Sequence, residues 1–504
     1  MKKQKPFPRG HGILLPFFSL NGKYGIGTFG DEAKSFINFL SRAGCNMWQI
    51  LPLGPTGFGN SPYQCFSAFA GNSYFLNPEW FLNEGWIDSF LLSKFELPNQ
   101  AFVDYGALYK TRQTLLREVF KGFLKFASDN QRKSFAKFKK EQSHWLDDYC
   151  MFLSLKEHFG GIGRADFPKY KIKSDEAVLF IKTHLNKRLE YFAFLEYAFF
   201  MQWQSLRDYA KQKSVMLVGD IPLYVSNDSA DVWANPDLFM LDDNGAPTSV
   251  AGVPPDAFSA EGQLWGNPLY NWESHKRQDF AWWKKRVSHQ AALFDVIRID
   301  HFIGISNYYS IPFGFKNAIK GEWQRGPDKE LVTAIMSAAD GIKFIAEDLG
   351  VITNDVKRLI KWAGFPGMKV MQFAFDGGDN PNLLHHIPKN SVVYTGTHDN
   401  QTTVGFFNSC TPKIKKAARR YMNLKQNRTL AASLIRECHK SRANTVIIPL
   451  YDYLLLDDTA RINTPATCEN NWVWRILKTP SNILADEIRA IGDIYKRNNP
   501  PFKP

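Results

Sequence analysis

The 504-residue chain has only six cysteines, at 45, 65, 150, 410, 438 and 468. None forms a CxxC pair or stands with histidines at zinc spacing, which excludes a disulfide-stapled or zinc-stapled scaffold and predicts reduced thiols in a cytoplasmic protein. Long apolar runs are missing as well. The first, 13–18, is short and broken by Pro16, so it lacks the h-region of a secretory leader. No later window approaches the roughly 20 apolar residues of a membrane span, and no membrane partner is expected. The net charge is +13, yet Lys and Arg are scattered without a long basic block, a pattern that suits a solvated surface better than a nucleic-acid partner. There is no Walker loop, no GxGxxG after a strand and no HxH on a strand pattern, so neither a nucleotide cofactor nor a catalytic metal is expected. His385 and His386 are adjacent and would point apart on a strand.

What the chain does have is apolar mass, 44% of its residues, enough for a large core. The most informative stretch is FDVIRIDHFIG at 294–304. Its apolar run suits a strand covered on both faces, as in a parallel sheet, and it ends abruptly in Arg298, Asp300 and His301. Side chains two apart share a face, so Arg298 and Asp300 point the same way. A guanidinium beside a carboxylate favours the ionised form, which is what a nucleophile needs. The plain alternative is a structural ion pair at a strand end.

Similar apolar segments stand at 12–18, 47–53, 214–225, 343–349, 368–375, 391–400 and 445–450. Helical patterns separate several of them, including 31–43 with Asp31 as N-cap and Gly44 as stop, and 353–363 ahead of Gly364. Eight such strands predict a (β/α)8 TIM barrel with no separate C-terminal β domain. Between strands two and three the next strand is delayed by far more than the ~30 residues of a βαβ unit, so long, mostly helical insertions follow the early strands. The expected division is 1–79 for the first two strands and an active-site loop, 80–210 for an inserted helical subdomain, 211–293 for strand three and a further loop, and 294–504 for the rest. Two stretches, 54–71 and 251–268, are too rich in Gly and Pro for regular structure and read as loops after strands two and three.

Three acids, Asp300, Glu347 and Asp399, fall at the ends of strands four, five and seven, where such barrels place their active sites. Asp300 has Arg298 beside it, while Glu347 lies on a hydrophobic strand and keeps a proton if its pocket is dry. That split serves retaining glycoside chemistry, with one carboxylate as nucleophile and the other as acid and then base. Asp399, next to His398, is placed to bind sugar hydroxyls and favour a positively charged transition state. Tyr63, Phe258 and Trp265 on the two loops offer flat faces for stacking on sugar rings.

At these residues the chain resembles the amylomaltases or disproportionating enzymes, 4-α-glucanotransferases related to the α-amylase clan. The resemblance rests on LGPTGFGNSPYQ, VGDIPLYV, AGVPPDAFS with GQLWGNP, RIDHFIG, IAEDLG and GTHDN, in order along nearly the whole chain. It implies Asp300 as nucleophile, Glu347 as acid/base and Asp399 as transition-state stabiliser. It also implies that Arg298, His398, Asp220 and Trp265 support or contact the sugar, and that the Ala251 to Asp256 loop closes over the acceptor side; Tyr63, Phe258 and His301 are further candidates for substrate binding. Maltooligosaccharides and longer α-1,4-glucans are the implied partners, with no cofactor. Phe58, Asn60, Ala257 and Tyr451 depart from the family's commoner residues, all outside the three acids. Two rivals remain open. An α-glucan hydrolase uses the same acids with water as acceptor, and a catalytically dead glycan-binding protein keeps the aromatics but loses an acid.

Overall fold

A computed structural model describes residues 3–57, 59–255, 259–424 and 429–498. Its strands are β1 (Gly10–Leu14), β2 (Met47–Gln49), β3 (Met216–Ile221), β4 (Ser249–Val253), β5 (Gln263–Pro268), β6 (Val296–Ile299), β7 (Asn307–Pro312), β8 (Glu322–Arg325), β9 (Lys343–Ala346), β10 (Gly367–Val370), β11 (Ser391–Tyr394) and β12 (Thr445–Pro449). Eight of them close a barrel in the order β1-β12-β11-β10-β9-β6-β3-β2. All of its pairings are parallel, as expected of strands joined by helical crossovers.

Each barrel strand is shorter than its apolar run. The first ends at Leu14 because Pro16 has no N–H to donate, and 17–19 turn into a 3-10 helix instead. Pro222 stops β3 in the same way. Past β10 the run 371–375 is a 3-10 helix. The helix expected over 31–43 is Asp31–Arg42, with Gly30 rather than Asp31 as its N-cap and Gly44 leaving in the left-handed region at φ 71°. Thr353 caps Asn354–Ala363, which Gly364 ends at φ 80°.

The stretch between β2 and β3 carries four long helices, Tyr105–Phe126, Asp129–His158, Asp175–His184 and Asn186–Gln212. Their aromatics face one another. Phe123 packs edge-on against Trp86 at 4.9 Å and tilted against Phe194 at 4.9 Å, both buried, so these rings serve the core.

The irregular loop expected over 251–268 is a correction. Its flanks are β4 and β5, which join β7 and β8 in a four-stranded antiparallel sheet, β5-β4-β7-β8. Gly252 and Gly266 hid the alternation of the β4–β5 pair, and β7, the other partner of β4, lies far along the chain, so no local pattern announces that second pairing.

Candidate active site

Parallel register does the first step of assembly. β3 and β6 pair with Asp220 opposite Arg298, and both side chains are turned to the inside of the barrel mouth. Arg298 Nη1 donates to Asp220 Oδ1 and Oδ2 at 2.7 Å each, and to Asp300 Oδ1 at 2.9 Å. Burial opposes the guanidinium charge, but the carboxylates of Asp220 and Asp300 more than reverse that and push its pKa well above the ordinary value. Burial also raises Asp220, with Arg298 pulling the other way. The Asp220 side chain has no exposed surface, whereas that of Asp300 is 27% exposed. One arginine thus anchors a hidden carboxylate behind it and an accessible one in front.

Asp300 and Glu347 directly follow β6 and β9. Glu347 is buried and accepts from the backbone N–H of His301 at 2.6 Å and of Leu349 at 3.1 Å. Burial is the largest influence on it. Arg298 and the two N–H donors favour its ionised form and Asp300 disfavours it, and the balance is a pKa pushed up to about 8. His301 stands in the left-handed region at φ 48°, unusual for a residue with a side chain. That turn aims its N–H at Glu347 and sets its ring edge-on to Trp265 at 4.8 Å. Burial pushes the His301 imidazole down to about 4, so it is neutral at working pH.

Asp399 lies in the turn after β11. His398 Nε2 is 3.3 Å from Asp399 Oδ2 and 2.9 Å from the Tyr63 hydroxyl, which donates to Asp220 Oδ2 at 2.7 Å. Tyr63 and His398 stack at 5.3 Å. A continuous chain of polar contacts therefore runs Asp399, His398, Tyr63, Asp220, Arg298, Asp300.

Trp265 is half-buried, with Tyr224 beside it at 6.3 Å. The loop 54–71 is tied to β5 by Gln64 Nε2, which donates to Asn267 Oδ1 at 2.9 Å. From beneath, Asp231 accepts from Ala68 N and Glu196 from Gly71 N. A Cβ on Gly71 would meet the Phe199 ring at 2.4 Å. Asp256, Ala257, Phe258 and Phe58 lie outside the described residues.

Several neighbours of the acids had no sequence signature. Asn463 Nδ2 donates to Asp399 Oδ1 at 2.6 Å, Arg461 Nη2 to the Asp399 carbonyl at 3.1 Å, and the Trp472 ring lies 6.0 Å from His398. All three come from the tail that follows β12. His385 and His386 do not point apart, which corrects the expectation above. They lie in a turn region, not a strand, with ring centroids 4.1 Å apart, and both are exposed beside Asp379.

The family described as 4-alpha-glucanotransferase matches residues 15–479. A 4-alpha-glucanotransferase of Clostridium butyricum is 43% identical over 95% of this chain and 99% of its own length. One of Thermus thermophilus is 42% identical over 97% and 99%. Among solved structures, an amylomaltase from Streptococcus agalactiae in complex with acarbose superposes with a TM-score of 0.94 at 37% identity, covering 97% of this chain and 100% of that one.

Proposed function

The chain belongs to the 4-alpha-glucanotransferase family, and from that premise we propose that it moves α-1,4-glucan segments between maltooligosaccharides, or to glucose, by double displacement on Asp300. The observation that carries this reading is the contrast between two acids on neighbouring strands. Asp300 is held by Arg298 and open to the mouth. Glu347 is buried and keeps its proton up to about pH 8.

In the first step the Asp300 carboxylate attacks the anomeric carbon while Glu347 gives its proton to the departing glycosidic oxygen. The C–O bond to the leaving chain breaks and a glycosyl ester on Asp300 forms. Arg298 holds Oδ1 of Asp300, which leaves Oδ2 as the attacking oxygen. In the second step Glu347, now a carboxylate, takes the proton of an acceptor hydroxyl as that oxygen attacks the same carbon, and Asp300 is released. Two inversions retain the α configuration. Positive charge on the sugar ring peaks in the transition state of each step, and Asp399, oriented by Asn463 and His398, is placed to meet it.

Which acceptor wins depends on the loops. Trp265, braced by His301 and Tyr224, and Tyr63, pinned by Asp220, present aromatic faces beside the acids. Such faces stack on glucose rings and shed water. A docked hydroxyl gains an effective concentration that reaches about 10⁵ M or more, far above bulk water. Among the described residues no helix is long and apolar enough to cross a membrane. Those residues contain six free cysteines, which supports a reducing, cytoplasmic setting.

Incubation of the pure protein with maltotriose tests the proposal. Transfer gives a ladder of longer and shorter maltooligosaccharides. Glucose and maltose alone, with reducing ends rising in step, would make the protein a hydrolase.

A further inference from the structure

Strand pairing around Asp399 stops early. The ladder between β11 and β12 runs through Val393 and Val446, yet Asp399 must stand at a fixed height over the mouth several residues later. Two side chains just past β12 supply what the ladder does not. Tyr451 Oη donates to the Thr397 carbonyl at 2.9 Å. Asp452 Oδ2 accepts from the Thr395 hydroxyl at 2.5 Å and from the Thr403 hydroxyl at 2.7 Å, and its Oδ1 accepts from Thr403 N at 2.7 Å. Both residues are buried, at 1% and 0% exposure. Thr397 passes the constraint on, because its hydroxyl accepts from Asp399 N at 3.3 Å and its carbonyl from Asn400 N at 3.1 Å.

We infer that Tyr451 and Asp452 are positioning residues for Asp399, holding the turn 395–403 at both ends through side chains where the ladder between β11 and β12 has run out. The inference rests on the role given to Asp399 above. A hydrophobic pair would fill the same space, but it would leave the Thr395 and Thr403 hydroxyls and the Thr403 N–H without their acceptor in a buried place. Burial pushes the Asp452 carboxyl up to about 6, and its three donors oppose that. Neither side chain is open to the mouth, since both are buried. Their effect reaches the reaction only through the placement of Asp399, where a misplacement near 1 Å costs on the order of 100-fold.

The two functions a buried tyrosine and aspartate can serve, positioning and plain stability, separate in one experiment. Tyr451→Phe removes one O–H and keeps the ring. Its kcat on maltotriose should fall about fivefold with KM unchanged. Acarbose, with its flattened ring and basic linking nitrogen, should bind more weakly by a similar factor. Asp452→Ala should lose more, and Asp452→Asn, which still offers an acceptor, should recover part. In an Asp399→Ala background, Tyr451→Phe should have no further effect on kcat. A lowered melting temperature with kcat per folded molecule and acarbose affinity unchanged would overturn the inference, as would full additivity with Asp399→Ala. If Asp452→Ala fails to fold, the Tyr451→Phe cycle still decides. Unchanged kcat in Asp399→Ala itself would instead remove the role of Asp399, and this inference with it.

Discussion

At the mouth of the barrel Arg298 meets two carboxylates, whereas at the opposite end, where β1 and β12 begin, Arg497 meets carbonyls. Arg497 Nε donates to His439 O at 2.8 Å, Nη1 to Gly10 O at 3.1 Å, and Nη2 to Ser441 O at 2.9 Å and Ala443 O at 3.1 Å. Both guanidiniums are buried, and their pKa values move in opposite directions. Arg298 is driven well above its ordinary pKa, while burial and the nearby Arg9 pull Arg497 down to about 9. Carbonyl dipoles satisfy donors and tie chain ends together, but they carry no net charge. Of these two ends, it is the mouth that fixes a strong charge pattern, as a reacting centre requires.

The sharpest break of this contrast is at the mouth. Asp300→Ala and Glu347→Ala should each lower turnover by at least about 100-fold while circular dichroism stays native, since each acts at a distinct stage of one reaction. Retention of more than about a tenth of turnover in either would sink the assignment. The mirror experiment is Arg497→Met. It should lower folding stability by about 3 kcal/mol or more, because several buried carbonyls lose a charged donor together, with turnover per folded molecule unchanged. Urea titration beside an activity assay measures both.

The pH dependence sharpens the same contrast through Glu347. Its folded pKa is raised from 4.5 to about 8, so the folded state holds this proton more tightly than the unfolded chain. The stability it contributes is complete below about pH 4.5 and lost as pH climbs to about 8. Glu347→Gln should therefore melt higher than the parent protein above pH 8 and no differently below pH 4. Turnover of the parent should fall on the alkaline side near pH 8 as the acid loses its proton. A flat profile through pH 9 would contradict the buried, protonated state. The smallest effect is expected from Trp265→Ala, which should raise the ratio of hydrolysis to transfer a few-fold, read as free reducing ends against total glucose from maltotriose. An unchanged ratio would mean that this ring does not guard the intermediate.

Taken alone, the order of residues determined the barrel and its three acids. Eight apolar segments separated by helices leave few arrangements other than a closed parallel sheet, and a polar residue at the end of such a segment has nowhere to go but the mouth. The local pair of Arg298 and Asp300 was legible because side chains two apart on a strand share a face. Strand ends at Leu14 and Ile221 were misjudged despite Pro16 and Pro222, since apolar residues continue past the last ladder bond into 3-10 turns and loops that are equally buried. Tertiary structure decided the rest. It brought Tyr63 between Asp220 and His398, and Asn463 from the tail onto Asp399. It also folded β4 and β5 against β7 and β8, and set Tyr451 and Asp452 beneath the turn after β11. These contacts join residues far apart along the chain, and their partners are single polar side chains with no repeating pattern. A hydrogen bond depends on where two atoms arrive in space, and periodicity along one segment carries no information about the other.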